Sequence, residues 1–196
     1  HFHKRALTGE LDASWRGEML RVKILKARGK GFSLTADGVV QERLSYEIRV
    51  DDASQLLPGS KGALSAAGWA RWRRDEPAGA IRATGRNISY GGSSVSSLNV
   101  AIDVPDGYEG TVTADIAARE ISYGVFSADL FTFKAAGSAK NHQLNLSARK
   151  TKGRIDAAAR GKYADCSWQG TIQSLSFDEA RFGKLVLERP STVEVS

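Results

Sequence analysis

Apolar and polar residues alternate along segment after segment of this 196-residue chain, and no stretch of helical period is long enough to compete. Leu44, Tyr46, Ile48 and Val50 fall on one side of an extended strand, and so do Leu98, Val100, Ile102 and Val104. The same period joins Val22 with Ile24, Phe32 with Leu34, Val112 with Ala114 and Ile116, and Phe131 with Phe133. It continues through Leu144 with Leu146, Ile155 with Ala157, Leu175 with Phe177 and Leu185 with Leu187. The runs stop at turn formers such as Asp37-Gly38, Pro58-Gly59, Gly91-Gly92, Pro105-Asp106-Gly107 and Lys150 to Gly153. About thirteen strands are predicted. The one helical candidate is 52–57, where Asp52 or Ser54 can cap the first amides and Pro58-Gly59 ends the turn.

A sheet with one apolar face must hide that face, and this chain has no helix to cover it. Thirteen strands in one sheet, at ~4.8 Å per strand, reach roughly 60 Å, so a curled slab or a two-sheet sandwich is required. Internal repeats favour the slab. Ser14-Trp15-Arg16-Gly17 recurs as Ser167-Trp168-Gln169-Gly170, and the same offset of 153 pairs Ala27-Arg28 with Ala180-Arg181, Phe32 with Leu185 and Leu34 with Leu187. This predicts a unit of two strands and a turn, used twice. A second echo, 33 residues apart, repeats Ile88-Ser89-Tyr90-Gly91 as Ile121-Ser122-Tyr123-Gly124. The expected organisation is one continuous β-repeat segment over 1–196, with 1–40 closing one module and 41–196 forming the next.

Composition narrows the function classes. Lys and Arg total 28 against 22 Asp and Glu, a net charge of +6, but the basic residues are scattered, and a solvated face accounts for them as well as an anionic partner does. No window approaches the ~18 consecutive apolar residues of a membrane helix. The chain opens at His1 in mid-pattern and without a methionine, as expected of a piece of something longer. The single cysteine, Cys166, has no internal disulfide partner. His1, His3 and His142 have no cysteine or acidic cluster at ligand spacing, and no phosphate loop, nucleophile elbow or dinucleotide fingerprint is present, so neither a metal, a cofactor nor an enzymatic activity is expected. Trp69 and Trp72 with Arg71, Arg73 and Arg74 form an aromatic and basic cluster, for which strand-end packing is preferred over nucleic-acid binding. Trp15 and Trp168 are expected to pack beside their neighbouring glycines.

The run Ser54-Gln55-Leu56-Leu57-Pro58-Gly59-Ser60-Lys61-Gly62-Ala63-Leu64, then Ala67-Gly68, Pro77 to Gly85, Asn87 to Gly91 and Ser97-Leu98-Asn99-Val100, resembles the middle region of TamB-type translocation and assembly module proteins. The second half is similar too, from Gly137-Ser138-Ala139-Lys140-Asn141-His142 through Gly161 and Trp168-Gln169-Gly170 to Gly183-Lys184-Leu185-Val186-Leu187-Glu188-Arg189-Pro190. Lys184 departs from the aromatic residue more usual there, which bears on local packing only.

The resemblance implies an all-β, elongated, curled antiparallel or mixed sheet with an apolar trough, belonging to a periplasmic protein anchored in the inner membrane of a Gram-negative cell. It implies phospholipid acyl chains as cargo in transport towards the outer membrane, support of outer-membrane integrity, and an outer-membrane barrel partner engaged through other parts of the parent protein; no nucleic acid is implied. On that footing the trough is lined by Leu44, Tyr46, Ile48, Val50, Leu98, Val100, Ile102, Val104, Leu144, Leu146, Leu175 and Phe177. The alternative for each is an ordinary core position of a closed sandwich. A different class of function also fits, a scaffold that pairs with unfolded outer-membrane or autotransporter strands at exposed sheet edges.

Overall fold

Among the described residues, thirteen strands follow one another as an antiparallel meander and a fourteenth joins its end. The computed structural model describes residues 7–73, 76–107, 110–164, 167–180 and 183–195. In order the strands are β1 (Thr8–Arg16), β2 (Met19–Gly29), β3 (Phe32–Val39), β4 (Arg43–Val50), β5 (Lys61–Arg73), β6 (Glu76–Tyr90), β7 (Ser93–Val104), β8 (Val112–Tyr123), β9 (Phe126–Ser138), β10 (Asn141–Lys150), β11 (Gly153–Ala164), β12 (Ser167–Glu179), β13 (Gly183–Val186) and β14 (Ser191–Val195). Each strand from β1 to β13 pairs with the next, and β14 returns to β12. Every pair is antiparallel, so the sheet is not mixed. It is all-β and curled, and it is open, since among the described residues β1 at one end does not pair with β13 at the other.

The last two strands are one interrupted strand along the edge of β12. Phe177 faces Leu185, Ile172 faces Ser191, and between them Leu187 N donates to Leu175 O at 2.8 Å. Pro190 separates the two pieces, where an amide donor is missing from the ladder. The predicted helical turn is a single 3-10 turn, Ala53–Gln55. Asp52 caps it, its carboxylate accepting from Ser54 N and from Gln55 Nε2, both at 3.0 Å. Hydrogen bonds from Ser54, then Gln55, hold that carboxyl below its ordinary pKa.

The two sequence echoes have different fates. The later strand β12 and its turn into β13 do correspond to β2 and β3, but the register differs: Phe32 faces Gly29, whereas Leu185 faces Phe177. The Trp-x-Gly signatures also sit in unlike places. Gly17 turns the β1–β2 hairpin with φ 57°, while Gly170 lies inside β12 opposite Gly161. Arg181 and Cys166, with Arg74, Asp75, His1 and His3, lie outside the described residues. The 33-residue echo carries geometry as well as letters. Asn87 and Glu120, each just before its Ile-Ser-Tyr-Gly, have φ 49° and 51°, and Gly91 and Gly124 both have φ 55°.

One face assignment is corrected. Val22 faces Gly38, but Leu25, rather than Ile24, faces Ala36. The register slips between Val22 and Leu25, and against β1 it slips between Asp12 and Ala13, so Lys23 is an extra residue that reverses the phase of the strand. Packing is thin throughout. Among the described residues the buried apolar ones are Val22, Ala36, Val39, Val50, Ala66, Ala78, Ala118, Ala128 and Ala148, and no large side chain is fully buried.

Candidate functional site

Residues directly opposite in an antiparallel pair share a face, so register alone builds the apolar surface. One cross-strand row runs Leu34, Ile48, Ala66, Ala83, Val100, Ile116, Phe133, Leu146, Ala157, Leu175, from β3 to β12. No polar residue interrupts it. A second row runs Leu11, Leu25, Ala36, Tyr46, Gly68, Ile81, Ile102, Ala114, Ala135, Leu144, Ala159, Ile172. A third runs Phe32, Val50, Leu64, Gly85, Leu98, Ala118, Phe131, Ala148, Ile155, Phe177, Leu185. Leu44 and Val104 lie in the next row, through Ala70 and Gly79. All twelve trough positions expected from the sequence therefore fall on one face.

The alternation missed β5 and β6 as contributors to this face. Their share is Leu64, Ala66, Gly68 and Ala70, and Ile81, Ala83 and Gly85, small residues with little hydropathy contrast to their neighbours. Small residues here have a use. A Cβ on Gly68 would stand 2.9 Å from the Tyr46 hydroxyl, and one on Gly85 would stand 2.4 Å from Ile88 Cδ1. The larger side chains thus lie across glycines on the neighbouring strand or their own, which lowers the relief of the surface. Burial also pushes the Tyr46 hydroxyl above its ordinary pKa. Beside Tyr46, a hollow of about 330 Å³ opens over Ala70, Pro77, Gly79, Ile81, Ile102 and Val104.

The face is not plugged by the protein itself. Ile48, Leu98, Val100, Ile102, Ile116, Phe131, Phe133, Leu144 and Leu146 are all half-buried, and Leu175 is 39 % exposed. A closed sandwich core would bury such residues almost completely.

The margin of the apolar face near the start of β12 carries one polar clasp. Trp168 lies over Gly161 and Gly170, where added Cβ atoms would stand 2.5 Å and 2.4 Å from its ring. Its Nε1 donates to His142 Nε2 at 2.7 Å. His142 therefore carries its proton on Nδ1, which donates to Ser138 O at 3.1 Å. Trp168 packs beside its glycine as expected. Trp15 also lies beside its glycine, its Nε1 donating to Gly17 O, but remains 67 % exposed.

The opposite face is polar and largely self-neutralising. Arg49 pairs with Glu47 at 3.2 Å, Arg82 with Asp103 at 2.7 Å and Lys134 with Asp115 at 2.8 Å. A hollow of about 460 Å³ lies here between Ser65, Thr84, Asn99 and these ion pairs. Its charges are paired and Ser65 and Thr84 share a hydrogen bond of 2.8 Å, so the apolar face is the better candidate site. The aromatic and basic cluster is dispersed: Trp69 stacks under Arg43 at 4.9 Å, Arg71 donates to Pro105 O, and Trp72 is 62 % exposed.

No helix of the described residues is long and apolar enough to cross a membrane. No curated protein sequence and no solved structure matches the chain. The family model described as TamB, N-terminal domain, matches residues 5–196. With nearly the whole length matched and a sheet of the kind the resemblance implied, the chain belongs to the TamB family.

Proposed function

We propose that this segment shields phospholipid acyl chains on its apolar face as part of a periplasmic bridge from the inner to the outer membrane. The supporting observation is the uninterrupted row from Leu34 to Leu175, in which every residue but Ala66 is partly open to solvent. Each methylene exposed to water costs ~0.8 kcal/mol, so a sixteen-carbon chain crossing the periplasm alone faces roughly 12 kcal/mol. An apolar row repeated strand after strand removes that cost at every step. It also offers no position that holds the lipid much better than the next, which movement requires. In this reading the twelve residues from Leu44 to Phe177 named above are the lining, the parent protein is anchored in the inner membrane of a Gram-negative cell, and other parts of it engage an outer-membrane barrel.

Mass spectrometry of gently purified protein tests this. Phospholipid should co-purify with the native chain and be lost from Ile48→Asp with Val100→Asp and Leu146→Asp. Absence of phospholipid from every mild preparation of the native chain would contradict the proposal.

A strand-addition scaffold is supported by a different feature, the outer edge of β1, where every residue but Ser14 is exposed and no strand pairs among the described residues. Glu10→Pro with Leu11→Pro should then abolish assembly of client strands, while leaving co-purified lipid unchanged.

A further inference from the structure

The tips of the duplicated hairpin have no part in the trough. Arg86-Asn87-Ile88-Ser89-Tyr90-Gly91 and Arg119-Glu120-Ile121-Ser122-Tyr123-Gly124 end β6 and β8, two strands apart on the same edge of the sheet. In both, the tyrosine is left in solvent, 55 % exposed at Tyr90 and 70 % at Tyr123. Val125, beside Gly124 at the tip, is wholly exposed, and Phe126 is 40 % exposed. A tight hairpin favours Gly, Asn or Asp at such a position, so an aliphatic residue there gains nothing within the fold. Leu56 and Leu57 continue the line on the preceding connection of that edge, 52 % and 46 % exposed. Single exposed apolar residues need no explanation, and on the opposite edge Trp15 with Met19, Trp72, and Tyr163 with Val195 lie on connections that do not follow one another. Here three successive connections carry them.

Cations accompany the tips. Register joins Arg86, Ser97, Arg119, Leu130, Arg149 and Arg154 in one row on the outer face. Arg149 and Arg154 stand directly opposite each other, which is unfavourable in a sheet. Arg154 pairs with Asp156, but Arg86, Arg119 and Arg149 form no ion pair among the described residues. Arg149, Lys150, Lys152 and Arg154 border a shallow hollow of about 410 Å³ in which Asp178 is the one acid.

We propose that this edge docks on an anionic lipid surface, with Tyr90, Tyr123 and Val125 entering the headgroup layer and Arg86, Arg119 and Arg149 facing lipid phosphates. Tyrosine is suited to the boundary between headgroups and hydrocarbon. Each arginine close to an anionic leaflet raises the partition about fivefold. A soluble polyanion would use the cations alone and leave the aromatic and aliphatic tips without a role. Docking by this edge is independent of what the trough carries.

Flotation of the chain with vesicles tests it. Binding is expected to vesicles of phosphatidylethanolamine with phosphatidylglycerol, weakening as salt rises, and far less to vesicles of phosphatidylcholine. Arg86→Gln with Arg119→Gln and Arg149→Gln should lower the partition about a hundredfold. Tyr90→Ser with Tyr123→Ser and Val125→Ser should lower it independently. All six side chains are exposed, so circular dichroism should be unchanged in both variants, which separates lost docking from lost folding. Equal binding to both kinds of vesicle, no binding to either, or binding that survives the tip substitutions and is matched by soluble polyphosphate would overturn the proposal.

Discussion

Trp168 reaches across the whole of β11 to donate a hydrogen bond of 2.7 Å to His142 on β10. Only glycine lies beneath the indole, at Gly161 and Gly170, and only a neutral imidazole with its proton on Nδ1 can accept there. The clasp ties three strands together at one margin of the apolar face, where few side chains are buried enough to do so by packing.

Gly161→Val should therefore destabilise the sheet by about 1–3 kcal/mol, because the new side chain displaces the indole and leaves its N–H unpaired. A lowered denaturation midpoint, with Trp168 emission shifted to the red, is the expected outcome. His142→Phe removes the acceptor and leaves the glycine floor intact, so it should cost only about 1 kcal/mol.

The left-handed residues of the duplicated hairpin differ in cost. Asparagine tolerates a positive φ, whereas glutamate at Glu120 bears a penalty of about 1 kcal/mol. Glu120→Gly should raise the unfolding midpoint, and Asn87→Gly should move it little. Equal effects at the two sites would show that the hairpins are not equivalent.

Acid should loosen the chain through two carboxylates. Asp52 is held below its ordinary pKa by hydrogen bonds from Ser54 and Gln55, and Asp156 by a hydrogen bond from Arg154. The folded state thus holds fewer protons than the unfolded one in this range, so the contribution is full above the ordinary carboxylate pKa and is lost as pH falls through the lowered values. Unfolding midpoints should fall as pH drops below about 5. Asp52→Asn with Asp156→Asn should flatten that acid limb.

Much of this architecture was legible in the sequence, because a period of two fixes which side of a strand each residue occupies. That is why Leu44, Val100, Leu146 and Phe177, far apart in the chain, could be placed on one face before any pairing was known. What alternation cannot carry is an insertion: Lys23 reverses the phase of β2 and gives the face Leu25 in place of Ile24. Nor does it register small residues. Ala66, Gly68 and Ala83 belong to the face through pairing with Ile48, Tyr46 and Val100, a relationship that exists only once strands are aligned. The repeat of Trp15 and Trp168 misled for a similar reason, since the same residues form a hairpin at one site and the inside of a strand at the other. The clasp between Trp168 and His142 depends on three strands at once, and no local pattern announces it.

A carboxylate within hydrocarbon costs about 3 kcal/mol. Ile102→Asp should therefore reduce lipid occupancy locally by roughly a hundredfold while leaving the backbone ladder and far-ultraviolet spectrum intact. Asn99→Asp, on the polar face of the same strand, should change neither co-purified lipid nor stability appreciably.

Site-specific photocrosslinking resolves the two faces most directly. A photoreactive phenylalanine analogue at Val100, Ile102 or Leu146 is expected to label phospholipid in cells, and the same group at Asn99, Asp103 or Asn145, next along the same strands and on the other face, is not. Labelling of phospholipid from both faces alike, or from neither, would contradict the assignment of the apolar face as the lipid path.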